Sequence, residues 1–174
     1  MKSAFVSLTA LLFISACAST PAPAPAPAPQ PAPAPRPAPA PTTTPAPLPP
    51  VAGSIDEFNK TAGDRVYFAY NSSKLSHESR ATLSKQAAWL NRYRNTRILV
   101  DGNCDERGTR EFNLALGARR ASAARDYLVS LGVSPSRIST ISYGKERPID
   151  GGSNERAWSI NRNAHTGIVS GANS

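Results

Sequence analysis

The side chains best suited to chemistry are concentrated in one stretch of the second half of the chain. Residues 102–109 read GNCDERGT and residues 113–120 read NLALGARR, so acidic, basic and amide groups follow one another closely. Such groups can hold a charged ligand through ion pairs and hydrogen bonds. No Ser/His/Asp grouping, no paired carboxylates beside a cleft motif and no phosphate loop accompany them. We therefore expect a binding protein without a cofactor rather than an enzyme.

Cysteine and histidine usage argues against a metal centre. The chain has two cysteines, Cys17 and Cys104, and two scattered histidines, His77 and His165. If Cys17 is modified as described below, Cys104 has no partner for an intramolecular disulfide and no cysteine cluster can form. Cys104 ends an apolar strand pattern, which predicts a buried structural thiol. Both histidines are predicted to be surface residues rather than metal ligands.

The N-terminus has the features of an export signal that ends in a lipid-modified cysteine. Lys2 precedes an apolar run from Ala4 to Ile14, which is too short for a permanent membrane span and suits a signal peptide. Small residues lead directly to Cys17, as in a lipobox, so we predict a signal peptide at 1–16 and lipidation of Cys17. In known lipoprotein families, an Asp directly after the modified cysteine favours retention in the inner membrane. Residue 18 is Ala instead, which points to the outer membrane. An ordinary secretory signal with an incidental cysteine is the alternative.

A low-complexity segment separates this anchor from the rest of the chain. From Pro21 to Pro50 proline and alanine nearly alternate, with Arg36 as the sole charge. Proline lacks an amide donor and has a fixed φ, so the segment favours polyproline II at ~3.1 Å per residue and a reach on the order of 90 Å. We interpret residues 17–53 as a lipidated spacer; a ligand for an SH3-type domain is the alternative.

Residues 54–174 have the length of one ordinary domain with a modest core. The net charge is +8, and subtracting Lys2 and Arg36 leaves +6 on the domain. A basic domain suits an acidic polymer or an anionic lipid surface. The export signal argues against nucleic acid, whereas peptidoglycan carries carboxylates on its stem peptides in that compartment. The charge excess also agrees with simple solubility.

Hydrophobic patterning predicts an α+β domain in the order β-α-β-α-β, followed by one more strand. Ser76 is the expected N-cap of the first helix, and Gly132 is the expected C-cap of the second, which Gly117 is expected to break into two pieces. Right-handed crossovers then favour a sandwich of a mixed sheet with its helices packed on one face. The predicted strands are 65–70, 96–102, 137–143 and 164–170, and the predicted helices are 76–92, 110–131 and 154–159.

A long ordered set of motifs in this domain is typical of one known family. The domain resembles the peptidoglycan-associated lipoproteins, which share an OmpA-like C-terminal domain with other outer-membrane proteins. The likeness covers about 63–169, and the lipobox and the Pro/Ala segment agree with it. The matching motifs are VYF at 66–68, DERGT at 105–109, Asn113, Leu116, RRA at 119–121, ISYGKERP at 141–148 and NR at 161–162.

The resemblance implies a ligand and a site. The ligand would be the diaminopimelate residue of the peptidoglycan stem peptide, whose end carries an ammonium and a carboxylate. Asp105 matches the family residue that takes the ammonium, and Arg120 matches the one whose fork takes the carboxylate. The resemblance also implies that Asn113, Arg162 and Phe68 belong to the site.

Two structural expectations accompany this assignment. If the helix restarts after Gly117, Arg120 lies in its first turn, where backbone amides also favour an anion. In the alternative interpretation, Asp105 and Arg120 simply pair with each other and fix the loop.

Five positions depart from the family pattern. Relatives usually carry Asp at Ala69 and Asn71, His at Asn103, Glu at Ala118 and a second Arg at Asn163. Because Asp105 and Arg120 are intact, we expect binding to persist in a weakened or altered form. A degenerate paralogue that no longer binds the wall is the alternative.

The resemblance thus implies an outer-membrane lipoprotein of a Gram-negative bacterium that faces the periplasm and holds peptidoglycan non-covalently. It further implies docking to the β-propeller protein of the Tol system, in envelope integrity and cell division. The alternatives are a pure interaction module for Tol-type partners and a periplasmic wall hydrolase.

Overall fold

The computed structural model describes residues 49–173. The expected signal peptide, the Cys17 lipidation site and most of the Pro/Ala-rich spacer therefore lie outside the described residues. Within residues 49–173, no helix combines the length and the apolar character needed to cross a membrane.

Four strands form one mixed sheet in the order β1-β4-β2-β3. β2 and β3 are parallel neighbours, whereas β4 runs antiparallel to both β1 and β2. The last strand of the chain is therefore inserted between the first two, so every connection except β2 to β3 passes over another strand. The strands are β1 (Arg65–Tyr67), β2 (Arg97–Asn103), β3 (Ile138–Gly144) and β4 (Asn163–Ser170).

Within residues 49–173, four α-helices accompany the sheet, and each begins at a polar side chain that accepts a hydrogen bond from a backbone N–H in its first turn. Ser76 caps α2 as predicted. The first helix was not predicted, although Ser54 and Glu57 have the spacing of a capping box; the Ser54 hydroxyl accepts from the Glu57 N–H, and the Glu57 carboxylate accepts from the Gly53 N–H. The helices are α1 (Ile55–Thr61), α2 (His77–Arg92), α3 (Arg110–Ser130) and α4 (Glu155–Asn161).

The core lies between one face of the sheet and the helices α1, α2 and α3. Alternate residues of β2, Ile98 and Val100, are buried there, as period-two side-chain alternation requires. They belong to one cluster with apolar residues from β1, β4 and the helices, including Val66, Ala164, Phe58, Leu83, Leu90, Ala121, Ala124 and Leu128. The predicted α+β class with a mixed sheet is therefore confirmed.

The predicted break at Gly117 is wrong, because α3 is continuous from Arg110 to Ser130. Both Gly102 and Gly117 are needed for close packing: a Cβ on Gly102 would lie 1.9 Å from the Gly117 carbonyl oxygen, and a Cβ on Gly117 would lie 2.7 Å from the Gly102 carbonyl oxygen. Backbone therefore packs on backbone where α3 crosses the end of β2. Gly132 has φ +91 just after α3, so its predicted role at the helix end is confirmed.

The predicted first strand is too long, because β1 ends at Tyr67. Beyond it, the Phe68 N–H still donates to the Arg162 carbonyl, but the chain then turns away. The carbonyls of Ala69 and Ser72 accept hydrogen bonds from Arg120 instead of joining the sheet. A buried arginine thus ends the strand.

Candidate ligand-binding site

A small cavity of about 80 Å³ lies where the chain leaves the carboxyl end of β2. Asp105 and Arg107 contribute to its walls from the loop after β2, and Asn113 and Arg120 contribute from α3. The predicted residues Asp105, Asn113 and Arg120 are therefore brought together by the β2–α3 connection. Phe112, 44% exposed, lines the same cavity.

The Arg120 guanidinium is a buried cation without an anionic partner in residues 49–173. The residue is 0% exposed, and its Nε, Nη1 and Nη2 donate to the carbonyls of Ser72, Asn103 and Ala69 at 2.8, 2.8 and 3.2 Å. Burial lowers the pKa of Arg120 from its ordinary value. Three of its five N–H donors bond to these carbonyls, which leaves one N–H on each Nη without a backbone partner in the described chain.

Arg120 lies in the middle of α3 and not in the first turn of a restarted helix. The prediction that free backbone amides beside Arg120 favour an anion is therefore wrong, because the N–H groups inside a helix already donate to carbonyls of the same helix. The carbonyls of Ser72, Asn103 and Ala69 hold the side chain instead, and the centroid of the Phe68 ring lies 5.2 Å from its guanidinium carbon.

Asp105 is also buried, at 4% exposure, but it is fully paired. Arg107 donates from Nε to Oδ1 at 3.2 Å and from Nη2 to Oδ2 at 2.7 Å, and its backbone N–H also reaches Oδ1. Arg162 adds a contact from Nη1 to Oδ2 at 3.4 Å. Burial pushes the pKa of Asp105 upward, but the hydrogen bonds from Arg107 outweigh it and the pKa is lowered.

Asp105 and Arg120 do not pair with each other, so the interpretation in which they merely fix the loop is not supported. Each has its own set of partners, and the cavity lies against both. The two opposite charges therefore line one cavity as separate groups, which is the arrangement that a zwitterionic ligand end would require.

Arg107 is the site residue that the sequence reasoning missed. Its guanidinium carbon lies 4.1 Å from the ring centroid of Tyr70 and 4.1 Å from that of Trp158, so aromatic rings contact it on two sides. The Glu155 carboxylate lies 3.8 Å from its Nη1. The motif DERGT at 105–109 contains Arg107. The local sequence does not indicate its contacts with Tyr70 and Trp158, because these two residues lie far from it in the sequence.

The other three predicted residues hold the elements around the cavity in place, and of these only Asn113 also lines it. Asn113 donates to the carbonyls of Arg107 and Thr109 and so holds the loop, while its own carbonyl lies 3.4 Å from the buried Cys104 sulfur. Arg162 donates to the Phe68 carbonyl and to Glu155 as well as to Asp105. Phe68 and Arg162 are buried and do not line the cavity.

Two of the five departures from the family pattern are neighbours. Asn103 donates from Nδ2 to Asn163 Oδ1 at 3.1 Å and to Asp101 at 2.8 Å. In this chain, two amides therefore form a buried hydrogen bond at these two positions. Asn71 adopts φ +50 beside the cavity, and Ala118 is exposed on α3.

The histidines take no part in the cavity. His77 is exposed, as predicted, at the start of α2. His165 is less exposed than predicted, because it lies on β4 with its ring Nδ1 2.8 Å from Asp101.

Comparisons with known proteins agree with this fold. The OmpA family matches residues 67–162. A peptidoglycan-associated lipoprotein of Mesorhizobium japonicum is 54% identical over 122 residues, which cover 70% of this chain and 72% of that protein. Another, from Rhizobium meliloti, is 51% identical over 122 residues, covering 70% and 69%.

A solved structure gives the same result. The crystal structure of the peptidoglycan-associated lipoprotein from Burkholderia pseudomallei matches with a TM-score of 0.62 at 37% identity, covering 64% of this chain and 96% of that one. The chain belongs to the OmpA family, and within it to the peptidoglycan-associated lipoproteins.

Proposed function

We propose that the domain binds peptidoglycan non-covalently through the diaminopimelate end of a stem peptide and thereby holds the outer membrane to the wall. The observation that carries the proposal is the buried Arg120 guanidinium, which faces a cavity and has no carboxylate partner among residues 49–173. A buried charge without a counter-ion is costly. A ligand carboxylate would supply the missing charge.

Asp105, which lines the same cavity, supplies the second half of the recognition. Its pKa is lowered, so it stays negatively charged at neutral pH and attracts an ammonium, which would exchange with one of its present partners. Diaminopimelate presents an ammonium and a carboxylate on one carbon, and the two charges can then be satisfied together. The cavity volume suits such a small end group, while the glycan strand would remain outside.

Co-sedimentation with purified sacculi tests this site, with the full chain kept soluble in detergent. Asp105→Asn preserves the shape but removes the charge, and we expect binding to fall about tenfold or more, since a charge-assisted hydrogen bond contributes about 1.5–3 kcal/mol. Asp126→Asn is the matched control, because Asp126 is 69% exposed on α3 and pairs only with Arg125 in the described chain. Equal sedimentation of both variants would show that the site is elsewhere.

The same preparation separates binding from hydrolysis. We propose a binder without catalytic activity, in agreement with its similarity to peptidoglycan-associated lipoproteins. Incubation with sacculi should release no soluble fragments above a heat-denatured control. Fragment release would identify a wall hydrolase and contradict the anchoring proposal.

The proposals on membrane anchoring and on the protein partner are supported by the similarity to the relatives and by the N-terminal sequence. We propose that Cys17 is lipidated in the outer membrane, that the domain faces the periplasm, and that it docks the β-propeller protein of the Tol system. Cys17→Ser should abolish incorporation of labelled palmitate and release the protein from the outer-membrane fraction. A Cys17→Ser chain that stays in that fraction would contradict the lipid anchor.

A further inference from the structure

The partners of Asp105 leave no obvious place for a ligand ammonium. An ionised carboxylate offers about four acceptor positions on its two oxygens. In the structure, Oδ1 accepts from the backbone and Nε of Arg107, and Oδ2 accepts from Nη2 of Arg107 and Nη1 of Arg162. Four donors therefore occupy four positions, and an incoming ammonium must displace one of them.

Arg162 is poorly suited to move. Its side chain is 8% exposed, and it also donates to the Phe68 carbonyl at 3.1 Å and to Glu155 at 2.7 Å. A displaced Arg162 would leave a buried carbonyl without its donor, which costs about 1–3 kcal/mol.

Arg107 is far better suited to move. Its side chain is 28% exposed, and its guanidinium donates to no backbone carbonyl of residues 49–173. The Glu155 Oε2 lies 3.8 Å from Nη1, and the Glu155 side chain is 67% exposed, so a second carboxylate is within reach of a small rotation. The rings of Tyr70 and Trp158 contact the guanidinium on both sides and favour a limited movement between them.

We propose that Arg107 is a latch that covers Asp105 in the free protein and moves to Glu155 when a ligand ammonium takes its place. This inference rests on the proposed function and names the residue that sets its selectivity. A cation can replace Arg107 on Asp105, whereas a neutral group would leave a buried carboxylate underpaired. A ligand end with a carboxylate but no ammonium therefore binds Arg120 alone and leaves the latch closed.

Binding of a monomeric muropeptide with an unlinked diaminopimelate end, measured by calorimetry on the full chain in detergent, tests the latch. Arg107→Gln removes the competitor, while the backbone N–H and Arg162 still pair with Asp105. If the latch is closed about nine-tenths of the time, the affinity should rise about tenfold. Arg110→Gln is the matched control and should bind as the unmodified chain does, because Arg110 is 64% exposed and pairs with Glu146 outside the cavity.

A second variant keeps the test decisive if Arg107→Gln folds poorly. Trp158→Leu retains Arg107 but removes one of its two aromatic neighbours, and Trp158 does not line the cavity, so the affinity should rise by a smaller factor, about twofold to threefold. Weaker or unchanged binding in whichever variants fold means that Arg107 holds the ligand or is a fixed brace, and the latch is then wrong. If the unmodified chain binds no muropeptide, the proposed function itself fails, which is a separate outcome.

Tryptophan fluorescence reports the movement directly. The chain has two tryptophans, of which Trp89 is 7% exposed in the core and Trp158 contacts Arg107. Muropeptide should change the emission of the unmodified chain, and the change should vanish in Trp158→Phe and shrink in Arg107→Gln. Bound muropeptide without any emission change would show that Arg107 stays in place, against the proposal.

Discussion

Arg120 and Arg137 lie at opposite ends of β2, and each donates three hydrogen bonds to backbone carbonyls, but their surroundings differ. Arg120 donates to three carbonyls near the carboxyl end of the strand. Arg137 donates to the carbonyls of Thr96, Leu90 and Tyr93 near its amino end. Each guanidinium therefore joins segments that are far apart in sequence, and burial lowers the pKa of both.

The surroundings differ in access to water. Arg137 is half-buried, so solvent can hydrate the part of its charge that the carbonyls do not satisfy. Arg120 is 0% exposed and lies against a cavity that also contacts Asp105. Joining distant segments requires only a guanidinium in surroundings such as those of Arg137. Arg120 adds a buried positive charge without a carboxylate partner in residues 49–173, which a negatively charged ligand in the cavity would balance.

The largest expected effect comes from removing each guanidinium. Arg120→Met leaves three carbonyls without a donor in a buried place, so we expect the free energy of unfolding to fall by about 4 kcal/mol. Arg137→Met should cost about 2 kcal/mol, because water can reach some of its partners. Urea denaturation measures both changes.

Sacculus binding then separates the two roles. At a temperature where both variants are folded, Arg120→Met should no longer sediment with sacculi and Arg137→Met should sediment normally. Loss of binding in both variants would mean that general loosening, and not the Arg120 charge, abolishes binding.

The contact between Gly102 and Gly117, at the carboxyl end of β2, gives the second-largest expected loss of stability. Gly102→Ala would place a methyl group 1.9 Å from the Gly117 carbonyl oxygen, so α3 must move away from β2. We expect a loss of about 3 kcal/mol in the free energy of unfolding. Just after the C-terminus of α3, the Cβ of Gly132→Ala has room. We expect this variant to lose about 1 kcal/mol in the free energy of unfolding, because of φ +91 alone. Equal losses in thermal denaturation would contradict the close backbone packing.

Local sequence patterns predicted most of the elements. The cap at Ser76 and the turn at Gly132 were identified because each depends on residues within one helical turn. The break at Gly117 was predicted wrongly for the opposite reason. Whether a helical glycine is a break or a packing position depends on Gly102, which lies on another element.

The site shows the same division. Asp105 and Arg120 were found because the family motif contains them, and the structure places both at one cavity. The motif also contains Arg107, but its role depends on Tyr70 and Trp158, which lie before α2 and in α4. No spacing rule joins three such segments, so only the folded chain reveals the contact.

Acid titration gives a smaller effect that distinguishes the two ends. The pKa of Asp105 is lowered in the folded chain, below the value of about 3.9 expected when unfolded. Its contribution to stability is therefore complete above about pH 5 and is lost as the pH falls through the folded pKa. Asp105→Asn should flatten this acid loss, whereas Arg137→Met should lower stability equally at every pH. Parallel curves for Asp105→Asn and the unmodified chain would contradict the lowered pKa.

The smallest expected effect concerns the two amides that replace the usual family residues. Asn103 and Asn163 share a buried hydrogen bond at 3.1 Å. In a double-mutant cycle, Asn103→Ala and Asn163→Ala should therefore couple by about 0.5–1 kcal/mol, the contribution expected of one hydrogen bond between neutral groups.

A control pair spans the two ends of β2. Thr96 donates from its hydroxyl to the Gly171 carbonyl beside the start of the strand, far from Asn103. Asn103→Ala and Thr96→Ala should thus add within about 0.5 kcal/mol. Coupling between these two as large as between the amides would mean that the sheet transmits strain along β2. The cavity end and the Arg137 end would then not be independent, and the different behaviour expected of their two arginines would lose its basis.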